Sequence, residues 1–457
     1  MTDKHIENTK NNKTARLQCK FFIQKKNRQC GMTRRADEDY CSEHSILNKR
    51  LANKLVHNSP NDHATDLQRI PCPLDQKHTI KKSQLKKHLT KCNKFKLKHS
   101  NDSNTFYKLD LNTAQSTPSL PKPSLSPDTL NKTVDLLYQF FKSGEINELS
   151  TTVKFNKFMT ETRVNTLSNQ KHAIQQSSLI QNLLEYRYKD KLETDISTTT
   201  LERNLNVLEF GCGKAEFSRY FNQVIRDASA DVSRLSPYFP RFRINNFLFI
   251  DRGSNRLKFD SKILSDSNGS NPPFIKRLKI DIKDLYVDDI LSRDPFSSNK
   301  NILISKHLCG VATDLTLRCI ANNPLLLDSL DSICIAMCCR HICDPDQYIN
   351  PRFCTDLLKK FGSTLTYHEF FLTLTKLCSW ATNGKRPGVQ DCDLVELTEN
   401  RFVTVKERET IGLMARRVID EGRLQWVKQK FPHSKTDLIK YVSKDISLEN
   451  VALLLSK

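Results

Sequence analysis

No stretch of the 457 residues approaches the ~20 consecutive apolar residues needed to cross a bilayer, and the first ten, MTDKHIENTK, lack the apolar core of a secretory signal. These two absences set the expectation of an intracellular protein, cytoplasmic or nuclear, with no membrane partner. Hydrophobic residues are also sparse, at 38%, which reserves part of the length for linker. Acidic residues are scarce at one end: residues 1–100 hold 23 Lys and Arg against 9 Asp and Glu. Two-thirds of the formal net charge of +21 therefore sits there. Concentrated positive charge favours a polyphosphate partner, because neutralising phosphates releases condensed counterions. A solvated basic tail is the plainer alternative. No internal repeat is visible, and nothing points to a protein partner. Cysteine, by contrast, is plentiful, with fifteen in the chain. In an intracellular setting these are expected to be metal ligands or packed thiols rather than disulfides.

Eight of the ligand-type side chains fall into two quartets. Cys19, Cys30, Cys41 and His44 follow C-x10-C-x10-C-x2-H; Cys72, His78, His88 and Cys92 follow C-x5-H-x9-H-x3-C. Each quartet can complete a tetrahedral zinc shell, so two zinc ions are expected. The stretch KKSQLKKHLTKC reads as a helix that sets His88 and Cys92 on one face. Neither segment has apolar residues enough for a core, so zinc would supply folding free energy directly. A lone cysteine is ordinarily a packed thiol, but two complete quartets in succession favour metal. The first quartet resembles the CCCH finger, and the second the CHHC finger, that open the eukaryotic tRNA ribose methyltransferases acting on nucleotide 4 of the acceptor stem. The CHHC type also resembles a finger of a minor-spliceosome protein, so the order of the two carries the resemblance.

The modules are placed at 14–48 (CCCH) and 69–95 (CHHC). A flexible linker follows at 96–127, rich in Ser, Thr, Pro and Lys as in STPSLPKPSLSP. From 128 to 457 a helical lead-in, with Val134, Leu137, Phe140 and Phe141 at spacings of three and four, runs into a catalytic domain. The polar stretch SNQKHAIQQSS weakens any claim of a long coiled coil there.

NLNVLEFGCGKAEFSRYF reads as a strand, a Gly211-Cys212-Gly213 turn and a helix. A dinucleotide site would want a third glycine. An acid, Glu209, precedes Gly211 instead, and E-x-G-x-G resembles motif I of the S-adenosylmethionine methyltransferases. Strands ending at Asp251, near Asp281 and Ile282, at Ser305, and through DSICIAMCCRHIC follow in order. Acids at successive strand ends suit the ribose and adenine of a nucleoside cofactor in a doubly wound sheet. The fold class is therefore α/β: a Rossmann-like S-adenosylmethionine methyltransferase domain preceded by two small zinc-finger modules. The cofactor-binding set is Glu209, Gly211, Gly213, Asp251, Asp281, Ile282 and Ser305. DASADVSRLSPYFPRFR is read as an insertion before the second strand.

Asn271-Pro272-Pro273-Phe274 matches the tetrapeptide of amino-group methyltransferases, but it precedes the third strand rather than ending the fourth. It is read as loop. SKHLCGVATDL, IAMCCRHICD and the helix IGLMARRVIDEGRLQWV resemble the position-4 tRNA methyltransferases. That resemblance implies S-adenosylmethionine-dependent methyl transfer to a ribose 2′-hydroxyl of tRNA. The catalytic candidates are Lys306 or His307, just past the fourth strand, to orient or deprotonate the hydroxyl. Arg340 and His341 are candidates for the target phosphate or ribose. Lys81, Lys82, Lys86, Lys87, Lys91, Arg34 and Arg35 are expected to face phosphates. Two alternatives stay open: a non-enzymatic zinc-finger RNA-binding scaffold with a degenerate Rossmann domain, and a base-modifying RNA methyltransferase. Cys309, Cys338, Cys339 and Cys343 have no assigned chemistry, buried thiols being favoured over a third metal site.

Overall fold

The computed structural model describes residues 17–23, 28–41, 44, 69–114, 125–188, 203–230, 242–253, 258–269, 271–382, 390–399 and 401–457. The chain divides into two compact units, residues 1–92 and 93–457.

The first unit holds both metal modules. In the first module Phe22–Ile23 pairs antiparallel with Arg28–Gln29. Its buried apolar cluster, among the described residues, is Cys19, Cys30 and Cys41, with Phe21 and Tyr40 against them. In the second module Arg69–Cys72 pairs antiparallel with Asp75–Lys81. A 3-10 turn, Lys82–Gln84, and a single short helix, Leu85–Leu89, follow. The helix ends three residues before Cys92, earlier than the spacing predicts. The amide of Cys92 still donates to the His88 carbonyl (2.8 Å), which keeps the two side chains together.

The second unit is built on a seven-stranded sheet. We number its strands β1 (Arg203–Phe210), β2 (Phe242–Asp251), β3 (Phe274–Lys279), β4 (Lys300–Cys309), β5 (Leu330–Cys338), β6 (Lys435–Lys440) and β7 (Val451–Ser456). Their spatial order is β6-β7-β5-β4-β1-β2-β3. β1 to β5 pair in parallel, and β7 runs antiparallel to both neighbours. The closing antiparallel pair β6–β7 is absent from the sequence reading. A continuous apolar run such as VALLLS does not distinguish a strand from a buried helical turn. Side chains alternate as the pleat requires. Leu208, Leu248, Leu303, Ile333 and Leu453 fill one face, while Val207, Phe249, Ile302, Cys334 and Leu454 fill the other. Helices cover both faces, so the inner strands β1, β2, β4, β5 and β7 bury apolar residues on both, whereas the edge strands β3 and β6 carry charged residues.

Two lead-in helices carry the chain to this sheet. In α1 (Pro127–Lys142) the Ser126 hydroxyl accepts from the Thr129 amide (3.1 Å) and Pro127 opens the first turn, a start that needs no other cap. Its Val134, Leu137 and Phe140 are buried in a third core with Phe370, Phe371, Ile411 and Val418. α2 (Lys171–Tyr188) takes in the KHAIQQSS part of the SNQKHAIQQSS stretch, and its Gln176, Ser177 and Ser178 are all buried. α3 (Glu216–Ala230) leads toward the expected insertion, of which residues 231–241 lie outside the described set.

The linker reading is corrected for residues 96–114. Asn93–Asn101 is helical, and Asn101 donates to the Lys279 carbonyl (3.0 Å). Asn112 is fully buried and donates to the carbonyls of Ile282 (2.7 Å) and Leu285 (2.8 Å). Polar residues here satisfy backbone at the β3 edge of the sheet rather than staying solvated. Residues 115–124 of the stretch lie outside the described set.

Candidate active site and zinc centres

Both glycines of Gly211-Cys212-Gly213 have positive φ, +63° and +52°, a conformation that side chains with a Cβ disfavour. A Cβ on Gly211 would also meet the His307 carbonyl at 3.1 Å. Arg277 of β3 holds the turn from beneath: it donates to the Gly213 carbonyl and reaches the Cys212 sulfur, each at 2.9 Å, while Asp260 binds the guanidinium. Asp251 closes it from the side, accepting from the amides of Gly213 (2.7 Å) and Gly253 (2.6 Å). Each carboxylate oxygen keeps a lone pair for a further donor such as a ribose hydroxyl. At the end of β3, Asp281 caps a short 3-10 turn and lies 3.3 Å from the Lys94 amine and 3.7 Å from Arg252. Ile282 follows it, nearly buried. Gly211, Gly213, Asp251 and Asp281 are thus on one rim, at the carboxyl ends of β1, β2 and β3, where a nucleoside cofactor could be held.

Two expected cofactor contacts are corrected. Glu209 is buried beneath the turn and accepts from the hydroxyl and amide of Ser218, pinning α3 to β1. Burial raises its carboxyl to about 7, against the lowering pull of Ser218. Ser305 has no exposure, and its hydroxyl donates to the Phe210 carbonyl (2.7 Å). Both point into the fold because strand alternation at β1 and β4 leaves them no other face.

The fourth strand also runs further than its sequence suggests, to Cys309. β1 pairs with it only as far as Ile304. The β4–β5 register then slips, from Ser305↔Ile335 to Leu308↔Met337, so one extra residue is accommodated at Lys306-His307. Such a bulge re-aims side chains. Lys306 turns into a buried position with its Nζ 2.9 Å from Nδ1 of His172, on α2, while His307 stays exposed on one side. The rings of His172 and His307 lie 6.4 Å apart. Burial lowers the Lys306 amine to about 8; Glu216 opposes this and Arg163 adds to it. Crowding by protein atoms, then the charges of Lys306 and His172, press His307 down to about 4. The Lys306 charge also lowers His172. Glu216 is held by Gln176 (3.2 Å) and Arg163 (3.5 Å). The arrangement is a partly deprotonated amine beside a neutral imidazole, which can accept a proton near neutrality.

His172, Arg163 and Glu216 do not figure in the sequence reading. The signal for His172 was the glutamine- and serine-rich start of α2, too polar for a helix that packs on a sheet unless it borders a site; Arg163 and Glu216 lie on other elements and had none.

Arg340 is corrected more strongly. It is 1% exposed; Asp420 accepts from its Nε (3.1 Å) and Nη2 (2.7 Å), the Met337 carbonyl from Nη1 (2.7 Å), and Glu449 from Nη1 as well. Burial alone would depress it, but Asp420 and Glu449 hold it above its ordinary value. Four of its five N–H groups are taken and the fifth is buried with them, so none reaches a phosphate. His341 is exposed, one residue beyond. The Asn271–Phe274 tetrapeptide sits at the amino end of β3, across the sheet from the rim, and its Asn271 carbonyl accepts from Arg226 and Arg243.

The metal modules are preorganised. The ligand atoms of Cys19, Cys30, Cys41 and His44 all lie within 4.8 Å of one another, as do those of Cys72, His88 and Cys92. The His44 Nδ1 is 3.5 Å from the Cys19 sulfur and 3.3 Å from that of Cys41, and Phe21 stacks on the His44 ring at 3.9 Å. The Cys72 and Cys92 sulfurs are 3.8 Å apart. A tetrahedron of ~2.3 Å zinc–sulfur bonds has edges of ~3.7 Å, so both sites fit zinc. The side chain of His78 lies outside the described set. Around the second site Lys82, Lys86, Lys87 and Lys91 are exposed, with Lys81 half-buried. Arg34 instead donates to the carbonyls of Gln18, Arg35 and Glu38, so it braces its module rather than facing outward.

Comparison with known proteins agrees with these two units. Residues 174–456 match the family described as "Methyltransferase TRM13". Residues 17–45 match "CCCH zinc finger in TRM13 protein", and residues 69–93 match "U11-48K-like CHHC zinc finger". Three yeast proteins bearing the name "tRNA:m(4)X modification enzyme TRM13" are similar along their length. That of Saccharomyces cerevisiae is 46% identical, covering 97% of each chain. That of Vanderwaltozyma polyspora is 42% identical, covering 97% of this chain and 98% of the relative. That of Schizosaccharomyces pombe is 32% identical, covering 86% and 96%. A family match across more than half the length, joined to end-to-end identity of this order, means that the chain belongs to the TRM13 methyltransferase family, with its CCCH and CHHC zinc fingers.

Proposed function

We propose that this protein methylates a ribose 2′-hydroxyl at position 4 of the tRNA acceptor stem, with S-adenosylmethionine as donor. The relatives' shared name supports tRNA as the substrate. The observation that carries the chemistry is the buried Lys306 amine against His172, at the carboxyl end of β4 beside the glycine turn. The cradle fits an adenosine-bearing donor. A Cβ at Gly213 would meet nothing within 4 Å, so the turn is open on that side, and the carboxylates of Asp251 and Asp281 would serve as acceptors for hydroxyls and an adenine amine. When bound, S-adenosylmethionine supplies a methyl already activated on a sulfonium.

The protein's task is the weakly acidic alcohol. Neutral Lys306 accepts the hydroxyl proton at Nζ, and Nδ1 of His172 then accepts a hydrogen bond from the resulting ammonium, which keeps the imidazole proton on Nε2. The value of kcat/KM should therefore rise about tenfold per pH unit at acid pH and level off above about 8. A profile flat between pH 5 and 8 would instead assign the proton to His307, held near 4.

The fingers grip the duplex through phosphates, since duplex RNA is read by shape and backbone. Replacing Lys82, Lys86, Lys87 and Lys91 by Ala should raise KM for tRNA and leave KM for the donor unchanged. It should also flatten the dependence of log affinity on log salt by about 3 to 4. Equal effects on both substrates would count against the grip.

The deciding experiment is alkaline hydrolysis of tRNA treated with the purified enzyme. A ribose methyl blocks cleavage after nucleotide 4; a ladder unbroken there, with a methylated base in the digest, would overturn the reading.

A further inference from the structure

We propose that Cys309 and Cys338 form an oxidation site, in which a peroxide joins them as a disulfide and arrests methyl transfer. The arrest rests on the reaction proposed above; the site itself does not. The two cysteines are register partners on adjacent parallel strands, β4 and β5, and their sulfurs are 3.2 Å apart. Neighbouring strands run ~4.8 Å apart, inside the ~4.4–6.8 Å range of Cα separations that a disulfide spans. Bond formation needs side-chain rotation only.

A third thiol is brought in at backbone cost. Cys339 has φ of +55°, a left-handed conformation unfavourable for a residue with a Cβ. The Glu449 carboxylate accepts from its amide (2.8 Å), and the three sulfurs lie within 4.8 Å of one another. A metal centre fits less well. The 3.2 Å contact is shorter than the 3.8 Å between Cys72 and Cys92, or the ~3.7 Å edge of a zinc–thiolate tetrahedron. Glu449, a carboxylate beside these thiols, already serves Arg340, Arg416 and the Cys339 amide. Thiol chemistry fits better. Cys309 is exposed, Cys338 buried. The Cys338 thiol hydrogen bond lowers Cys309, and the same bond and burial raise Cys338, so the accessible sulfur is the thiolate.

The steps balance. The Cys309 thiolate attacks one peroxide oxygen, the O–O bond breaks, and hydroxide leaves to give a sulfenic acid. The Cys338 sulfur then attacks the Cys309 sulfur, its proton passing to the departing hydroxyl as water. The released hydroxide takes up the proton that Cys309 gave up on ionising, so two thiols are oxidised and one peroxide is reduced to two waters. The new bond lies three residues beyond Lys306 and pins β4 to β5 just past the bulge that aims the amine.

The test treats full-length, zinc-loaded protein with a few equivalents of hydrogen peroxide, then maps peptides by mass under non-reducing conditions and measures transfer. We expect a Cys309–Cys338 link, transfer reduced at least fivefold, and recovery with dithiothreitol. Cys309→Ser and Cys338→Ser should keep untreated transfer and lose the reversible inhibition. Absence of the linked peptide overturns the proposal, as does a link with undiminished transfer. So does a third equivalent of zinc that Cys309→Ser removes. A chain inactive before treatment tells against the proposed reaction, whereas a missing link tells against the thiol pair alone.

Discussion

Lys306→Met should lower turnover on tRNA by about 10²- to 10⁴-fold, the range a positioned acid–base group contributes, with the Kd for S-adenosylmethionine unchanged. The side chain is close in volume, so packing around α2 is kept and the loss reports the amine itself. His172→Ala should cost less, since the imidazole contacts the amine rather than the substrate, and it should shift the pH profile. With its 2.9 Å acceptor removed, the ammonium loses a hydrogen bond, so burial, already the main cause that lowers Lys306, acts less opposed and the profile moves to lower pH. Isothermal titration with the donor and single-turnover transfer measure the two halves separately. Near-normal turnover in Lys306→Met would remove the base from the mechanism.

The second large effect is structural. Arg340→Ala should destabilise the second unit by about 3–5 kcal/mol, because Asp420 is left buried without its bidentate partner. The melting temperature should fall by roughly 5–10 °C. Arg423, 3.5 Å from Asp420 and also paired with Asp314, cannot replace both hydrogen bonds. Replacing both partners, Arg340→Met with Asp420→Leu, should recover part of the loss, since two apolar groups leave no orphaned charge. A phosphate contact at Arg340 predicts the opposite pattern: wild-type melting with a raised KM for tRNA.

Lys306 and Arg340 entered as candidates on the same grounds. Lys306 follows an apolar strand and sits in SKHLCG, and its amine meets His172. Arg340 looked equally placed after β5, yet it faces inward to carboxylates 80 and 109 positions away, on the C-terminal helix Val405–Lys430 and just before β7. Nothing local distinguishes an arginine that meets a phosphate from one that meets a buried Asp420. Glu209 and Ser305 have the same history: the right strand, but the inward face of it.

The order of acids and glycines along the chain, and two ligand quartets at fixed spacing, were written in the sequence. Backbone geometry at a glycine turn and the coordination of a small metal module are short-range demands, met by residues within a few positions of each other. Which side chains meet at the rim was decided only by the tertiary structure. A one-residue register slip between β4 and β5 turns Lys306 toward His172, 134 positions earlier. A strand's bulge depends on what its neighbours pair with, and those neighbours are remote in the chain.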